Sequence, residues 1–342
     1  MVGMSRGLPK SAVPPVTGHG ALESEVLARI RSALERDAAA PVGEIWIGDD
    51  AAVVGVPGRG VVLATDTAVA GVHADLGLVG LDDLGWKALT AAVSDVAAMG
   101  AWCRHALVAL CAPPGTDIDR LNDGLAQAAA HWHCPVVGGD LSTAGQVVVA
   151  VTVTGSLGEG PGPVTRAGAA PGDHLVLTGP LGGSAAGLRL LRQGREEPSG
   201  SAGFTTAGEG PDPDRADDLV SAHRRPRARL AEGWTARLAG ATAMIDISDG
   251  LSIDLARLAA ASGVGARLEE VPVAEGATLD EALGGGEDYE LLIAVPDVGV
   301  LTEAFAAAGL RPPLLVGRCT AGPAEVNLGG RRLAAAGWEH QF

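Results

Sequence analysis

Met244-Ile245-Asp246-Ile247-Ser248-Asp249-Gly250-Leu251 is a short apolar run that breaks on two carboxylates and a glycine, then opens a segment with Leu251, Leu255 and Leu258 at helical spacing. The run predicts a strand over 243–247 and the spacing predicts a helix over 251–262, a β-to-α step with acids at the joint. Ser248 is placed to cap that helix, and the free N–H groups of a helix start also suit phosphate. Three more runs read as strands that stop on a carboxylate: Ile45-Trp46-Ile47-Gly48-Asp49-Asp50, Val61-Val62-Leu63-Ala64-Thr65-Asp66 and Pro135-Val136-Val137-Gly138-Gly139-Asp140. Acids aimed repeatedly from strand ends suggest one shared site for a hard cation such as Mg2+. Phosphate chemistry is the natural use of such a site, because the cation lets an acidic pocket hold an anion.

Around these runs the chain alternates between strand and helix patterns, which predicts an α/β fold in two domains. In the first, Asp82-Asp83 opens a helix that Gly100 stops; a second helix over 121–133 and a long strand over 147–154 follow. The Gly- and Pro-rich stretch 158–172 marks the boundary. Beyond it come a strand over 174–178, a helix from Ser184, a surface insertion over 193–218, a helix over 226–238, the strand–helix step at Asp246, a strand over 289–295 and a helix over 300–308. The cluster Arg224, Arg225, Arg227 and Arg229 reads as an exposed helix start. Residues 1–20 read as a disordered extension, followed by an amphipathic helix with Leu22, Val26, Leu27 and Ile30 on one face. The expected domains are 21–157 and 158–342.

A chain of 342 residues with 47% hydrophobic and 19% charged residues is globular in composition and long enough for about two cores. Its formal net charge of −16 argues against nucleic acid or an anionic membrane as partner. Cys103, Cys111, Cys134 and Cys319 show no CxxC pairing, which favours a reducing, cytoplasmic setting. No stretch reads as a signal peptide or a membrane span. His131, His133 and Cys134 have no second cluster to complete a zinc site and read as packing or surface residues.

Asp95 is the most informative single residue. Between Lys87 and Arg104 it is the only charged side chain, in a run of Ala, Val, Leu and Met that must be buried on most faces. A carboxylate there is tolerated when it meets a cation or hydrogen-bond donors. The glycines of Gly284-Gly285-Gly286-Glu287-Asp288-Tyr289 allow close backbone approach to a ligand, and Arg166 offers a fork for phosphate in an acidic protein. No GxxxxGK[ST] loop and no HRD or DFG set is present, so the phosphate site is of neither common type.

Taken together, Gly48-Asp49-Asp50-Ala51-Ala52, Thr65-Asp66-Thr67 with Gly71-Val72-His73, Lys87-Ala88-Leu89 through Ser94-Asp95-Val96-Ala97-Ala98-Met99-Gly100-Ala101, Gly138-Gly139-Asp140, Asp246-Ile247-Ser248-Asp249-Gly250-Leu251 and Gly285-Gly286-Glu287-Asp288-Tyr289-Glu290-Leu291 resemble the thiamine-monophosphate kinase family in order and spacing. The resemblance covers nearly the whole chain after about residue 22. It implies an N-terminal α/β domain whose sheet dimerises, a sandwich-like C-terminal α/β domain, and an active-site cleft between them in a homodimer. It further implies ATP-dependent phosphorylation of thiamine monophosphate to thiamine diphosphate, by direct in-line transfer with several Mg2+ ions. Carried over by motif, Asp50, Thr65, Asp66, Asp95, Asp140, Asp246 and Asp249 would hold Mg2+, with Asp95, Asp140 and Asp249 central to catalysis. Gly139, Asp140, Arg166 and Ser248 would meet ATP, and His73, Glu287 and Trp338 would meet thiamine monophosphate. Ala64, Ala74 and Ala92 depart from the usual serine, aromatic and asparagine, and the segment from His223 to Arg229 keeps part of a His-x-x-Pro-x-Pro-Arg pattern. The alternatives are another ATP-using enzyme of the same fold, similar to aminoimidazole-ribonucleotide synthetase, or a catalytically silent nucleotide-binding protein.

Overall fold

Alternating apolar residues set up one sheet and short continuous apolar runs another, and the computed structural model describes them over residues 42–45, 49–56, 59–196 and 213–341. The extension 1–20 and the helix expected from Leu22 to Ile30 lie outside the described residues. Ala39–Trp338 form one compact unit.

The first sheet has the order β1-β2-β5-β3-β4, from strands Ala52–Val56, Arg59–Val69, Trp102–Ala112, Val136–Thr143 and Val148–Ser156. Every pairing is antiparallel except β3 with β4. Helices α1 (Leu81–Ala98) and α2 (Ile118–His131) cover one face. Asp82 and Asp83 stand in the first turn of α1, where the helix dipole favours them, and Asp83 accepts the Gly80 N–H at 3.1 Å. Asp117 caps α2 through the Arg120 N–H at 3.0 Å. Val62, Ala64, Val108, Leu110, Val149, Val151 and Val153 point at the helices, whereas Thr65, Thr67, Leu107 and Ala109 point away from them.

The second sheet has the order β12-β11-β8-β10-β6-β9-β7. Its strands are β6 (His174–Leu177), β7 (Ala243–Asp246), β8 (Gly265–Leu268), β9 (Leu291–Val295), β10 (Leu314–Thr320), β11 (Val326–Leu328) and β12 (Arg331–Arg332). The connecting helices are α3 (Gly183–Glu196), α4 (Pro213–Arg224), α5 (Leu230–Leu238), α6 (Leu251–Ser262), α7 (Leu279–Gly284) and α8 (Val298–Ala307). Strand periodicity divides two cores. Val176, Met244, Leu291 and Ile293 join the core of the first sheet, while Leu175, Leu177, Ile245 and Leu292 pack with Leu251, Leu255 and Leu258 of α6 on the other face. Helix α1 thus lies inside a core that reaches from one sheet to the other. Among the described residues, no helix is long and apolar enough to cross a membrane.

The α/β class is as expected from the sequence, and so are α1 and α6 to within a residue or two. The acid-bearing runs need correction. Asp246 does end β7, but Asp66 lies inside β2 and Asp140 inside β4, while Asp50 lies just before β1. The hydroxyl residues after Asp66 and Asp140 are good strand formers, and the ladders to β5 and β3 carry the backbone past the carboxylates. A helix also begins at Leu230, not at residue 226, because 225–229 runs as an irregular segment tied down by its arginines. Arg225 grips Asp83 through Nε at 3.1 Å and Asp82 through Nη2 at 2.9 Å, and Arg229 grips Glu290 with both ends of its fork. The expected exposed helix start is instead a strap of buried and half-buried ion pairs. Part of the expected insertion is helical too, as α3 and α4 occupy its two ends.

Gly233 shows how tightly α5 meets α1. A Cβ there would lie 2.1 Å from the Ala97 carbonyl oxygen, two residues beyond Asp95. Gly233→Ala should therefore push the helices apart and cost about 1–3 kcal/mol of stability, read by urea denaturation. An unchanged midpoint would show that the contact is slack.

Candidate active site

Asp95 leaves the last turns of α1 between residues with no exposed surface, Ser94 and Val96. Asp246 ends β7 at 3% exposure, and Asp50 reaches the same point from the segment before β1. One carboxylate oxygen from each lies within 4.8 Å of the others. The donors are all oxygen and all carboxylate, a set suited to a hard divalent cation and to little else. Without one they repel. Burial first, and then the charges of Asp246, Asp66 and Asp50, push the Asp95 carboxyl well above its ordinary range. Burial and the Asp50 charge do the same to Asp246, against the Ser94 hydroxyl that donates to it at 2.6 Å.

Arg166 braces the cluster. Its Nε and Nη2 donate to the two oxygens of Asp50 at 2.9 and 2.7 Å, and its backbone N–H donates to Asp49 at 3.1 Å. Burial and the neighbouring Asp50 charge push Asp49 up to about 6. Asp66 extends the acidic surface toward the electrostatic neighbours His73, Asp249 and Glu287. Its carboxyl is raised chiefly by burial, and it accepts the Thr67 N–H at 2.7 Å. His73 accepts the Val69 N–H at Nδ1, 3.0 Å away, so a neutral ring carries its proton on Nε2.

At the start of α6 the expected Ser248 cap is not found. Gly250 is the capping residue, and the Asp254 carboxylate reaches back to the N–H groups of Asp249 and Gly250 at 3.0 and 3.1 Å. A carboxylate satisfies two free donors where a serine hydroxyl satisfies one. Arg257 then bridges Asp254 and Asp249. Asp254 is raised to about 7, first by burial and then by the Asp249 charge. Ser248 lies in this turn and its carbonyl accepts the Glu287 N–H at 2.8 Å. Trp338 donates its backbone N–H to the Asp249 carbonyl at 3.0 Å, which leaves an indole that is 50% exposed beside the site.

The structure therefore brings together Asp50, Asp95 and Asp246, with Arg166 against Asp50. Asp66, His73, Asp249 and Glu287 form an adjoining electrostatic group, and Ser248 and Trp338 join Asp249 and Glu287 through backbone contacts. Two expected ligands stand apart. The Thr65 hydroxyl hydrogen-bonds the Val151 carbonyl at 3.2 Å and pairs with Thr152 at 3.1 Å, on the face opposite Asp66. Asp140 lies opposite Ala109 on that same face, exposed, with the Ser142 hydroxyl at 3.3 Å. Gly139 is needed there for another reason, since a Cβ would lie 1.8 Å from the Val108 carbonyl oxygen. The reason for the separation is the two-residue period of a strand, which sends neighbouring side chains to opposite faces. The sequence pattern includes Lys87 but gives it no role, and sequence reasoning missed Asp254 and Arg257 as site residues. The Asp254–Arg257 spacing of three residues just after Asp249 was the available signal.

With this geometry in place, the sequence matches the AIR synthase related protein family, its N-terminal domain over residues 48–157 and its C-terminal domain over residues 170–327. The chain belongs to that family. Curated relatives include the thiamine-monophosphate kinase of Corynebacterium glutamicum, 37% identical over 264 residues that cover 72% of this chain and 75% of the relative. That of Escherichia coli K12 is 35% identical over 295 residues, covering 81% and 85%. Among solved structures, AaThiL complexed with AMPPCP and TMP aligns with a TM-score of 0.78 at 30% identity, covering 93% of this chain and 97% of that one. Within the wider family, the chain is a member of the thiamine-monophosphate kinases.

The raised carboxyls predict a pH dependence. Asp49 and Asp254 hold protons in the folded protein up to about 6 and about 7, whereas the unfolded chain releases them near 3.8. Stability without a divalent cation should therefore fall as pH rises through that window, giving a higher Tm at about pH 5 than at about pH 8 by calorimetry. Mg2+ should raise Tm more at the higher pH, and Asp95→Asn should weaken that rise. A Mg2+ response that is equal in parent and variant would remove Asp95 from the ligand set.

Proposed function

We propose that this chain phosphorylates thiamine monophosphate to thiamine diphosphate with ATP as donor, by direct in-line transfer in the presence of several Mg2+ ions. The observation that carries the reading is the Asp50–Asp95–Asp246 cluster, with oxygens within 4.8 Å and the Arg166 fork against it. The names of the curated relatives and the AaThiL complex with AMPPCP and TMP support it.

Asp50, Asp95 and Asp246 would hold Mg2+, with Asp66 and Asp249 beside them. A divalent cation held by these carboxylates would supply the positive charge that lets an acidic pocket accept phosphate groups. Arg166 is the chain's own phosphate-binding group next to the cluster, and Ser248 contributes at the start of α6. His73, Glu287 and Trp338 meet thiamine monophosphate. The acceptor is a substrate phosphate already ionised at neutral pH, so transfer needs no general base and no covalent enzyme intermediate. We assign homodimerisation to the face of the first sheet that points away from the helices, where Leu107 is 49% exposed, together with the edge strand β4, where Val137 and Leu141 are 60% and 64% exposed. Thr65 and Asp140 stand at that face and Gly139 lies in the edge strand β4, and this reading does not depend on them. Four free cysteines fit a reducing, cytoplasmic setting.

Purified protein with ATP and Mg2+ should convert thiamine monophosphate and leave free thiamine untouched, because free thiamine has no phosphate to be held at the cluster. Mass detection of thiamine diphosphate decides this, and equal turnover of both substrates would sink the reading. Trp338→Ala should raise the KM for thiamine monophosphate roughly 3–30-fold and leave that for ATP near parental, through loss of a ring face for the cationic heterocycle. An unchanged KM for thiamine monophosphate would make Trp338 a packing residue.

A further inference from the structure

The sequence contains two lysines, Lys10 and Lys87, among 25 basic residues, and every other cation is arginine. Lys87 stands on α1 eight residues before Asp95, about 12 Å along the same helix face. It is 4% exposed, and its Nζ donates to Glu287 Oε2 at 2.7 Å. Glu287 is itself held in an uncommon pose. Its φ is 65° and that of Tyr289 is 50°, and their N–H groups are bonded to the carbonyls of Ser248 and Ile247 at 2.8 Å each. A left-handed glutamate persists only where its surroundings over-determine it. Behind the pair lies buried His223, whose Nδ1 is 3.8 Å from Glu287 Oε2 and 3.1 Å from the Ser184 hydroxyl. Burial first, and then the Lys87 charge, lower His223 to about 3, so at neutral pH the cation beside Glu287 is Lys87.

The choice of lysine has a geometric consequence. Arg229 closes its fork on both oxygens of Glu290, and Arg166 does the same with Asp50. Lys87 takes one. Glu287 Oε1 has no hydrogen bond among the described residues and is not a buried orphan, so it faces solvent. We propose that Lys87 is a positioning residue for substrate selection. Its ammonium fixes and neutralises Glu287 while leaving Oε1 as an acceptor for an N–H donor on the substrate heterocycle, rather than as a counter-charge for its cationic ring. The proposal rests on the reading that Glu287 meets the substrate.

The test compares Lys87→Arg, Lys87→Met and the pair Lys87→Met/Glu287→Gln with the parent, using thiamine monophosphate and oxythiamine monophosphate, in which a carbonyl replaces the exocyclic amine. Binding is read by calorimetry without ATP, and KM and kcat are read with it. Lys87→Arg keeps the charge but occupies both oxygens. It should lose tenfold or more in affinity for thiamine monophosphate and most of its discrimination against the oxo analogue, with the KM for ATP unchanged. Lys87→Met leaves a carboxylate uncompensated and should bind poorly as well. The double variant restores a neutral acceptor oxygen and should recover affinity relative to Lys87→Met alone. Parental affinity and discrimination in Lys87→Arg, or no recovery in the double variant, overturns the role of Lys87. A parent that neither binds nor converts thiamine monophosphate overturns the function proposed above, and with it this inference.

Discussion

Three carboxylates drawn within 4.8 Å of one another at the end of α1 are the constraint to which the rest of the molecule answers. An unpaired buried carboxylate costs several kcal/mol, and like charges at this range add to the cost. The chain meets it with the Arg166 fork on Asp50 and the Ser94 hydroxyl on Asp246, while burial and mutual repulsion push the Asp95 and Asp246 carboxyls well above their ordinary range. Apolar burial holds the arrangement in place. Leu84, Leu89, Val93 and Val96 of α1 have no exposed surface, and the backbone of α5 lies directly against that of α1 at Gly233. A helix anchored in this way cannot swing Asp95 out of the cluster to relieve the repulsion.

The cations are placed as selectively as the acids. Arg225 joins Asp82 and Asp83 at the start of α1 to the strap before α5, and Arg229 closes on Glu290, so the two halves of the core are tied by charge as well as by packing. Arg257 bridges Asp249 and Asp254 on the one turn that also receives the backbone of Trp338. Arg229 takes both oxygens of its carboxylate, while Arg225 and Arg257 each join two carboxylates through one oxygen apiece. The single ammonium at Lys87 satisfies one oxygen of Glu287, and that carboxylate keeps a valence open. A net charge of −16 is thus compatible with anionic substrates, because the local balance around the cluster differs from that of the surface as a whole.

The legible parts of the site share one property: their signals are local. Asp95 was visible because a lone carboxylate in an apolar helix has few tolerable fates, and the Asp246 turn because strand and helix periods change within six residues. The pairings of Lys87, Arg225 and Arg229 were not legible, since their carboxylate partners lie 200, 142 and 61 residues away in the chain. A run of arginines with no visible partner reads as a solvated helix start. The strands β8, β11 and β12 escaped for a related reason, being four, three and two residues long, and β10 because Gly317 and Arg318 interrupt its apolar run.

By itself, then, the sequence determined the α/β class, the helices α1 and α6, and which acids can stand beside a cation, because these follow from periodicity and from the desolvation of charge within a few turns of chain. Tertiary structure decided which of those acids meet. Thr65 and Asp66 are neighbours in sequence but lie on opposite faces of β2, while Asp50, Asp95 and Asp246 converge from three distant segments. Side-chain direction on a strand alternates with every residue, so only the pairing register and the position of α1 settle which side becomes the site.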